Sequence, residues 1–330
     1  MSKHEEREGV CMAEKTARAA LSPEQKAYNR KRLWVEIKKH KLLYVFMLPC
    51  FVSLIVFAYI PMGGIVLAFK NYRFDLGIYG SEWAGFKHFK TFLTSPEFWT
   101  TTRNTIVISI MKIIICFPAP IILALLLNEV RAKKYKSVIQ TMSYLPNFVS
   151  WAVVVTILTA IFSHYGGIFN DVRKSMGLEP IFVLGEKGAF YPLVILTDIW
   201  KNVGWGSIVY LSAITGVDQG LYEAATIDGA NRWQCTWHVT IPGIATTIGI
   251  MFIMRMGGIL GADMDQLLLL QQPANMELSQ VLDTYILQTG LRWGKFEYAT
   301  AISLVRSIIS LGFVAVTNHL TNKYAEVGLW

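Results

Sequence analysis

Residues 42–60 read LLYVFMLPCFVSLIVFAYI, an apolar run directly behind the basic stretch Lys38-Lys39-His40-Lys41. A helix needs about 20 mostly apolar residues to cross the hydrocarbon core of a bilayer. This run, continuing weakly to Phe69, supplies them. It is no secretory signal: the charged stretch and the apolar segment are both too long, and no small-residue cleavage site follows. The eleven Lys/Arg of residues 1–41 could also be read as a nucleic-acid tail. That they stop abruptly at the apolar run favours a cytoplasmic anchor beside a membrane.

Five more segments of this kind follow: Ile106–Leu127, Leu145–Phe162, Tyr191–Ile214, Ile244–Leu260 and Ala299 to about Val316. Lys112, Pro118 and Pro120 interrupt the second. Asp198, Lys201 and the Gly204–Gly206 stretch make the fourth the least clean. The expected fold is therefore all-α and polytopic, with a basic tail over 1–41 and a six-span domain over 42–330. Composition agrees. The 330 residues are 53% hydrophobic and only 16% charged, against about 25% charged in soluble domains. Disordered chains, collagen-like repeats and small disulfide scaffolds are excluded, and an ordinary soluble enzyme is disfavoured. Cys11, Cys50, Cys116 and Cys235 show no paired spacing, so neither a disulfide framework nor a metal site is expected.

Six spans put both termini on one side. Of the 31 Lys/Arg, 17 then fall on the tail side, ten in outer loops of similar total length and four within spans. The density places both termini, and loops 128–142 and 215–243, in the cytoplasm. The outer loops 67–104 and 261–297 can hold short helices on the rim of the bundle. No phosphate-binding loop, G-x-S-x-G elbow or H-E-x-x-H pair is present. No catalytic residue and no cofactor is expected on this chain, and energy for transport must come from an ion gradient or from a partner that hydrolyses ATP.

The inner loop 221–242 carries the most information. It reads as a short helix, a turn at Asp228–Gly229 and a second amphipathic helix ended by Pro242. Ala224 and Ala225 are small enough to let another surface approach. Glu223 offers a carboxylate to a basic pocket. Asp228 is expected to cap the second helix, and Gly229 to relieve the bend. Trp233 and Trp237, four apart, share a face and can pack on the bundle.

Glu223-Ala224-Ala225, Asp228-Gly229-Ala230 and Ile241-Pro242 resemble the EAA loop of binding-protein-dependent ABC importer permeases. Tyr59–Tyr72, Trp83–Phe89, Asp283-Thr284-Tyr285 and the final Gly328-Leu329-Trp330 are similar to the sugar-importing, LplB-type branch. The resemblance implies a pore built with a second six-span permease subunit, two cytoplasmic ATPases that hold ATP and Mg, an extracytoplasmic solute-binding protein and an oligosaccharide substrate derived from a polysaccharide. It implies a place in the bacterial cytoplasmic membrane, among lipid and away from nucleic acid. ATPase docking is implied for Glu223, Ala224, Ala225, Asp228, Gly229, Ala230 and Pro242.

Charges at membrane depth cost about 2.5–3.5 kcal/mol each on insertion scales, so they tend to face a cavity or a partner. Ser303, Arg306, Ser307 and Ser310 follow helical spacing as one polar stripe. The stripe reads either as pathway lining or as a helix–helix contact in which Arg306 pairs with a neighbour. Asp198 and Lys201, one turn apart, can pair with each other. Trp200 and Trp205 beside them suit sugar stacking or interface anchoring equally. Arg255 has Asp198, Asp263 or Asp265 as partners, and Lys112 is expected to snorkel. A permease for a non-sugar solute, an ion-coupled carrier and a non-transporting scaffold are the rival readings.

Overall fold

A computed structural model describes residues 38–261 and 263–325, together with Arg32, Val35 and Glu36. Most of the basic tail and the final Gly328-Leu329-Trp330 lie outside the described residues. The chain divides into two compact units, 1–64 and 65–330.

In the first unit, α1 (Lys41–Leu54) passes through a wide π-turn at Ile55–Tyr59 into Ile60–Met62. The whole helical run Lys41–Phe69 is long and apolar enough to cross a membrane.

The second unit opens with a two-residue hairpin, β1 (Lys70–Asn71) antiparallel to β2 (Glu82–Trp83), with Lys70 opposite Trp83. Helix α2 (Lys87–Leu93) follows, so the loop 67–104 does hold short elements as expected. The hairpin has no counterpart in the sequence reading. Helix α3 (Pro96–Glu129) is 34 residues long. Ser95 caps it, its hydroxyl accepting from the Phe98 amide.

Three prolines that interrupt the apolar pattern share one device. Pro61, Pro118 and Pro242 each stand two positions after a five-residue π-turn: Ile55–Tyr59, Lys112–Cys116 and Thr236–Thr240. A proline inside a helix removes one donor and crowds the carbonyl four residues back. The wider turn just before it opens that ladder, and the helix carries on.

Helices α4 (Lys133–Phe148) and α5 (Trp151–Phe162) are bent by 98° at their junction. The expected third span, Leu145–Phe162, is therefore not one helix. Its straight part has 12 residues, about 18 Å, well short of a core of about 30 Å. Ser150 caps α5, accepting from the Val153 amide. Helix α6 (Ile168–Ser175) is short, and α7 (Lys187–Thr215) runs for 29 residues. Gly204 of α7 lies against the Ser143 carbonyl of α4, where any Cβ would overlap. The glycine that weakened the apolar pattern is thus a helix contact.

Helices α8 (Gln219–Ile227) and α9 (Arg232–Gly243) form the expected bent loop. Helix α10 (Ala245–Gly257) meets α9 at 60° and covers only 13 residues of the expected fifth span. Helices α11 (Met264–Leu270) and α12 (Leu282–Leu287) occupy the supposed outer loop 261–297. They do not sit on the rim. Leu267 and Leu282 join the buried core, and Gln266, Asn275 and Thr284 have no exposed surface. Helix α13 (Phe296–Ala325) completes the unit. Three helical runs, Lys41–Phe69, Pro96–Glu129 and Phe296–Lys323, are each long and apolar enough to span a bilayer, and the bent pairs could add two.

The core is a string of small clusters. Ile108, Phe190, Val194, Leu267 and Val281 tie α3, α7 and α11 together. Ala124, Tyr210, Ile214, Val217 and Ile244 tie the far end of α3 to α7 and α10. Large apolar side chains such as Leu196, Met254, Ile308 and Leu311 stay exposed, as a bilayer-facing surface permits.

Candidate functional site

Helix α8 starts at Asp218, whose carboxylate accepts from the Gly220 amide at 2.9 Å. It ends in a Schellman closure: the Ala230 amide donates to Ala225 at 2.9 Å and the Gly229 amide to Thr226 at 3.1 Å. That closure needs a left-handed residue, and Gly229 supplies it with φ +83°. Asp228 closes α8 rather than capping α9, which corrects the expectation. The cap is Asn231: its side chain accepts from the Gln234 amide at 2.9 Å, and Gln234 Oε1 accepts from the Asn231 amide at 2.8 Å. Helix α9 ends at Gly243, one residue past Pro242.

The two helices are tied by Tyr222 Oη and Thr240 Oγ1 at 3.0 Å. Arg232 of α9 lies 3.6 Å from Glu129 at the end of α3. Between them opens a cleft of about 710 Å³, lined among others by Glu129, Tyr222, Thr226, Ala230 and Arg232. Glu223, Ala224 and Asp228 lie at the surface beside it. Trp233 and Trp237 pack edge to face at 5.8 Å, as their spacing suggests. They remain 69% and 52% exposed instead of covering the bundle.

A second cleft, of about 630 Å³, lies at the other end of α3. Ser95 and Glu97 line it, whereas Asn128 and Glu129 line the first. A helix of 34 residues is about 50 Å long. That exceeds a bilayer of about 40–45 Å with its headgroups, so α3 alone is long enough to place the two clefts on opposite membrane faces.

Between them lies a buried ionic network. Lys112 Nζ donates to Asp263 Oδ2 and Gln266 Oε1, both at 2.7 Å, and lies 3.5 Å from Asp198. Its side chain is only 2% exposed, so it does not snorkel. Gln266 in turn donates to the Val194 carbonyl and Thr197 Oγ1, both at 2.8 Å. Arg255 approaches Asp263 at 3.9 Å, one of the three partners expected for it. A crevice of about 190 Å³, lined by Ser109, Lys112, Arg255 and Asp263, opens beside the network.

Asp198 and Lys201 do not pair, contrary to expectation. Asp198 faces Lys112 and accepts from Asn202 at 2.9 Å. Lys201 turns the other way. It donates to the carbonyls of Asn147, at 2.8 Å, and Val149, at the bend between α4 and α5. It is thus a cation on the carbonyls that the broken helix leaves free. Trp200 lines an apolar groove against α5, and Trp205 meets Phe148 at 5.7 Å. Arg306 pairs with Asp283 at 3.0 Å and donates to the Leu260 carbonyl at 3.3 Å. Its serine neighbours are not gathered with it: Ser307 Oγ donates to the Ser303 carbonyl on the same helix. Of the expected pathway residues, the structure brings together Asp198 and Arg255, through Lys112 and Asp263.

The pattern described as "Binding-protein-dependent transport system inner membrane component" matches residues 116–324. The chain belongs to this family. It is a permease subunit of an ABC importer. Among relatives of this permease, the polygalacturonan/rhamnogalacturonan transport system permease protein YteP of Bacillus subtilis (strain 168) is 41% identical over 305 residues, 92% of this chain and 95% of the relative. Protein LplB of the same organism is 39% identical over 89% of this chain and 92% of its own length. A solved chain of the bacterial alginate ABC transporter, in complex with alginate pentasaccharide-bound periplasmic protein, superposes with a TM-score of 0.82 at 36% identity. That match covers 90% of this permease and 100% of the solved chain.

Sequence reasoning missed Asp263, Gln266 and Lys112 as members of one network in this permease. One signal was available: a lysine at mid-span must find a counter-charge or reach water. Nothing local says which acid answers it.

Proposed function

We propose that this permease spans the membrane six times and forms half of the translocation pore of an ATP-driven importer for oligosaccharides released from a polysaccharide. Lys41–Phe69, α3, the α4–α5 pair, α7, the α9–α10 pair and α13 supply the crossings. Helix α7 is long enough, and Asp198, Lys201 and Gly204, which dilute its apolar pattern, are buried against neighbours. Both termini and the α8–α9 loop face the cytoplasm of a bacterial cell. A second six-span subunit completes the pore, two ATPases bind ATP and Mg below it, and an extracytoplasmic binding protein delivers the sugar. No cofactor sits on this chain. The names of YteP and of the alginate transporter support a polysaccharide-derived cargo.

The observation that carries the docking role is the exposed, bent pair α8–α9. Glu223, Ala224, Ala225, Asp228, Gly229 and Ala230 form a short elbow with a cleft behind it. ATP-driven closure of the motor pushes Glu223 and its helix, α9 passes the push to α10, and the bundle opens to the far side. Arg255 lines the pathway at the central crevice, and the buried Asp198 stands behind Lys112 there. Trp200, Lys201, Trp205, Ser303, Arg306, Ser307 and Ser310 support it from outside. The test is uptake together with affinity capture of the ATPases. Glu223→Lys and Gly229→Val should abolish uptake and lose the ATPases while membrane insertion persists. Normal capture and normal uptake in both variants would overturn the reading.

A further inference from the structure

The cleft at the start of α3 has a composition that docking and pathway do not use. Its back wall is aromatic and fixed. Phe92 is fully buried and holds Tyr285 at 6.4 Å and Tyr298 at 6.2 Å. Tyr285 in turn packs against Trp293 at 6.1 Å, with planes 81° apart. Trp293 stays 54% exposed. Around this wall stand Lys87, Glu97, Lys295 and Glu297. Among the described residues, none of these four takes part in an ion pair. Lys87 makes one long hydrogen bond, to Asn71 Oδ1 at 3.4 Å.

Two cations and two carboxylates outside any ion pair, beside a half-open indole, suit one kind of ligand. The lysines can meet a sugar carboxylate or hydroxyl oxygen, and the glutamates can accept from hydroxyls. A pyranose ring offers hydroxyls that both donate and accept, and an apolar C–H face that lies on an aromatic ring. The size fits a small molecule as well: about 630 Å³ falls within the range of about 300–1,000 Å³ for ligand clefts.

We propose that this cleft is an outer saccharide subsite of the permease. Trp293 is the stacking platform, and Glu97, Glu297, Lys87 and Lys295 meet the hydroxyls. The ring would rest here after leaving the binding protein and before entering the bundle. The inference rests on the oligosaccharide-importer reading and goes beyond it, because it assigns direct sugar recognition to this chain.

The experiment uses the permease with its co-purifying subunits in lipid nanodiscs, without binding protein. Trigalacturonate, an alginate trisaccharide and maltotriose are titrated in turn up to millimolar levels, following tryptophan fluorescence and calorimetric heat. At least one should bind. Trp293→Ala should weaken that binding by about tenfold, Trp293→Phe less, and Trp237→Phe in the other cleft not at all. Glu297→Gln should weaken it without altering ATPase capture. If none of the three binds, or if binding is indifferent to Trp293→Ala, the subsite is refuted. A Trp293→Ala variant that binds sugar normally but no longer engages the binding protein would make the cleft a protein seat instead, and also refute it. ATPase capture and receptor-stimulated ATP hydrolysis are scored on the same preparations. Failure of the subsite is then separable from failure of the importer reading.

Discussion

Lys112 and Asp263 are 151 positions apart in the chain and 2.7 Å apart in space. The pair closes the middle of the bundle, joining α3 to the turn before α11. Lys112 also faces the buried Asp198 at 3.5 Å, so removing Lys112 alone leaves two carboxylates without their cation, at a cost of up to about 3–5 kcal/mol, whereas removing Asp263 with it leaves only one. Lys112→Met should therefore lower the melting temperature of the purified permease more than Lys112→Met combined with Asp263→Leu. A double-mutant cycle on thermal unfolding in detergent measures the coupling. Single and double variants that melt together would remove the pair from the stability of the fold.

Gly204 tests the closest backbone approach. Its Cα faces the Ser143 carbonyl with no room for a side chain. Gly204→Val must push α4 from α7 or distort both, an overpacking cost of about 1–3 kcal/mol or more. Lys201 should lose its carbonyl contacts at the α4–α5 bend at the same time. Gly188, in the first turn of α7, is the contrasting case: a methyl group added there would meet nothing within 4 Å. Gly188→Ala should be neutral or stabilise by up to about 1 kcal/mol. Melting curves and folded yield of the two variants, compared side by side, check both statements.

Arg306 and Gly261 behave as one unit. A Cβ at Gly261 would overlap the Arg306 guanidinium, which is held by Asp283 at 3.0 Å. Gly261→Ala should displace Arg306 and mimic Arg306→Met. The double variant should be little worse than either single one, by about 0.5 kcal/mol or less beyond the larger effect. Additive losses in thermal stability would mean that the two residues act independently.

The elbow α8–α9 was legible in the sequence because its signals are local. Gly229 sits where a left-handed residue closes a helix, and Trp233 and Trp237 meet at a spacing of four. The capping residue was misassigned because Asp228 and Asn231 are both good caps, and only the position of the Schellman closure decides between them. The long helices α3 and α13 were legible from apolar length. The bend between α9 and α10 falls where Pro242 was expected to end the loop helix and Ile244 to begin the fifth segment; the break inside the third segment was not legible, because Phe148 and Val149 keep the run apolar while the backbone turns. The ion pairs were the least legible. Asp198 has Lys201 one turn away, yet it turns to Lys112, and Lys201 turns to the carbonyls that the bend at Val149 leaves free. Local spacing offers a partner; packing chooses another.

The last expectation concerns how the elbow transmits force. Tyr222 and Thr240 bridge α8 and α9 at 3.0 Å, 18 positions apart. Thr240 is buried and stands two residues before Pro242, close to the junction with α10. If the elbow moves as a rigid piece, this bond is what keeps its two arms at a fixed angle. Tyr222→Phe removes only the hydroxyl, a net contribution of about 0.5–1.5 kcal/mol, and leaves the exposed docking face of Glu223 and Ala224 intact. ATPase capture should then be normal, while uptake falls severalfold and ATP hydrolysis becomes partly uncoupled from transport. Asn231→Ala, which loses the α9 cap at a cost of about 1 kcal/mol, should shift the same ratio in the same direction. The measurement is the number of ATP molecules hydrolysed per sugar imported in proteoliposomes. An unchanged ratio in both variants would show that the arms need no bracing.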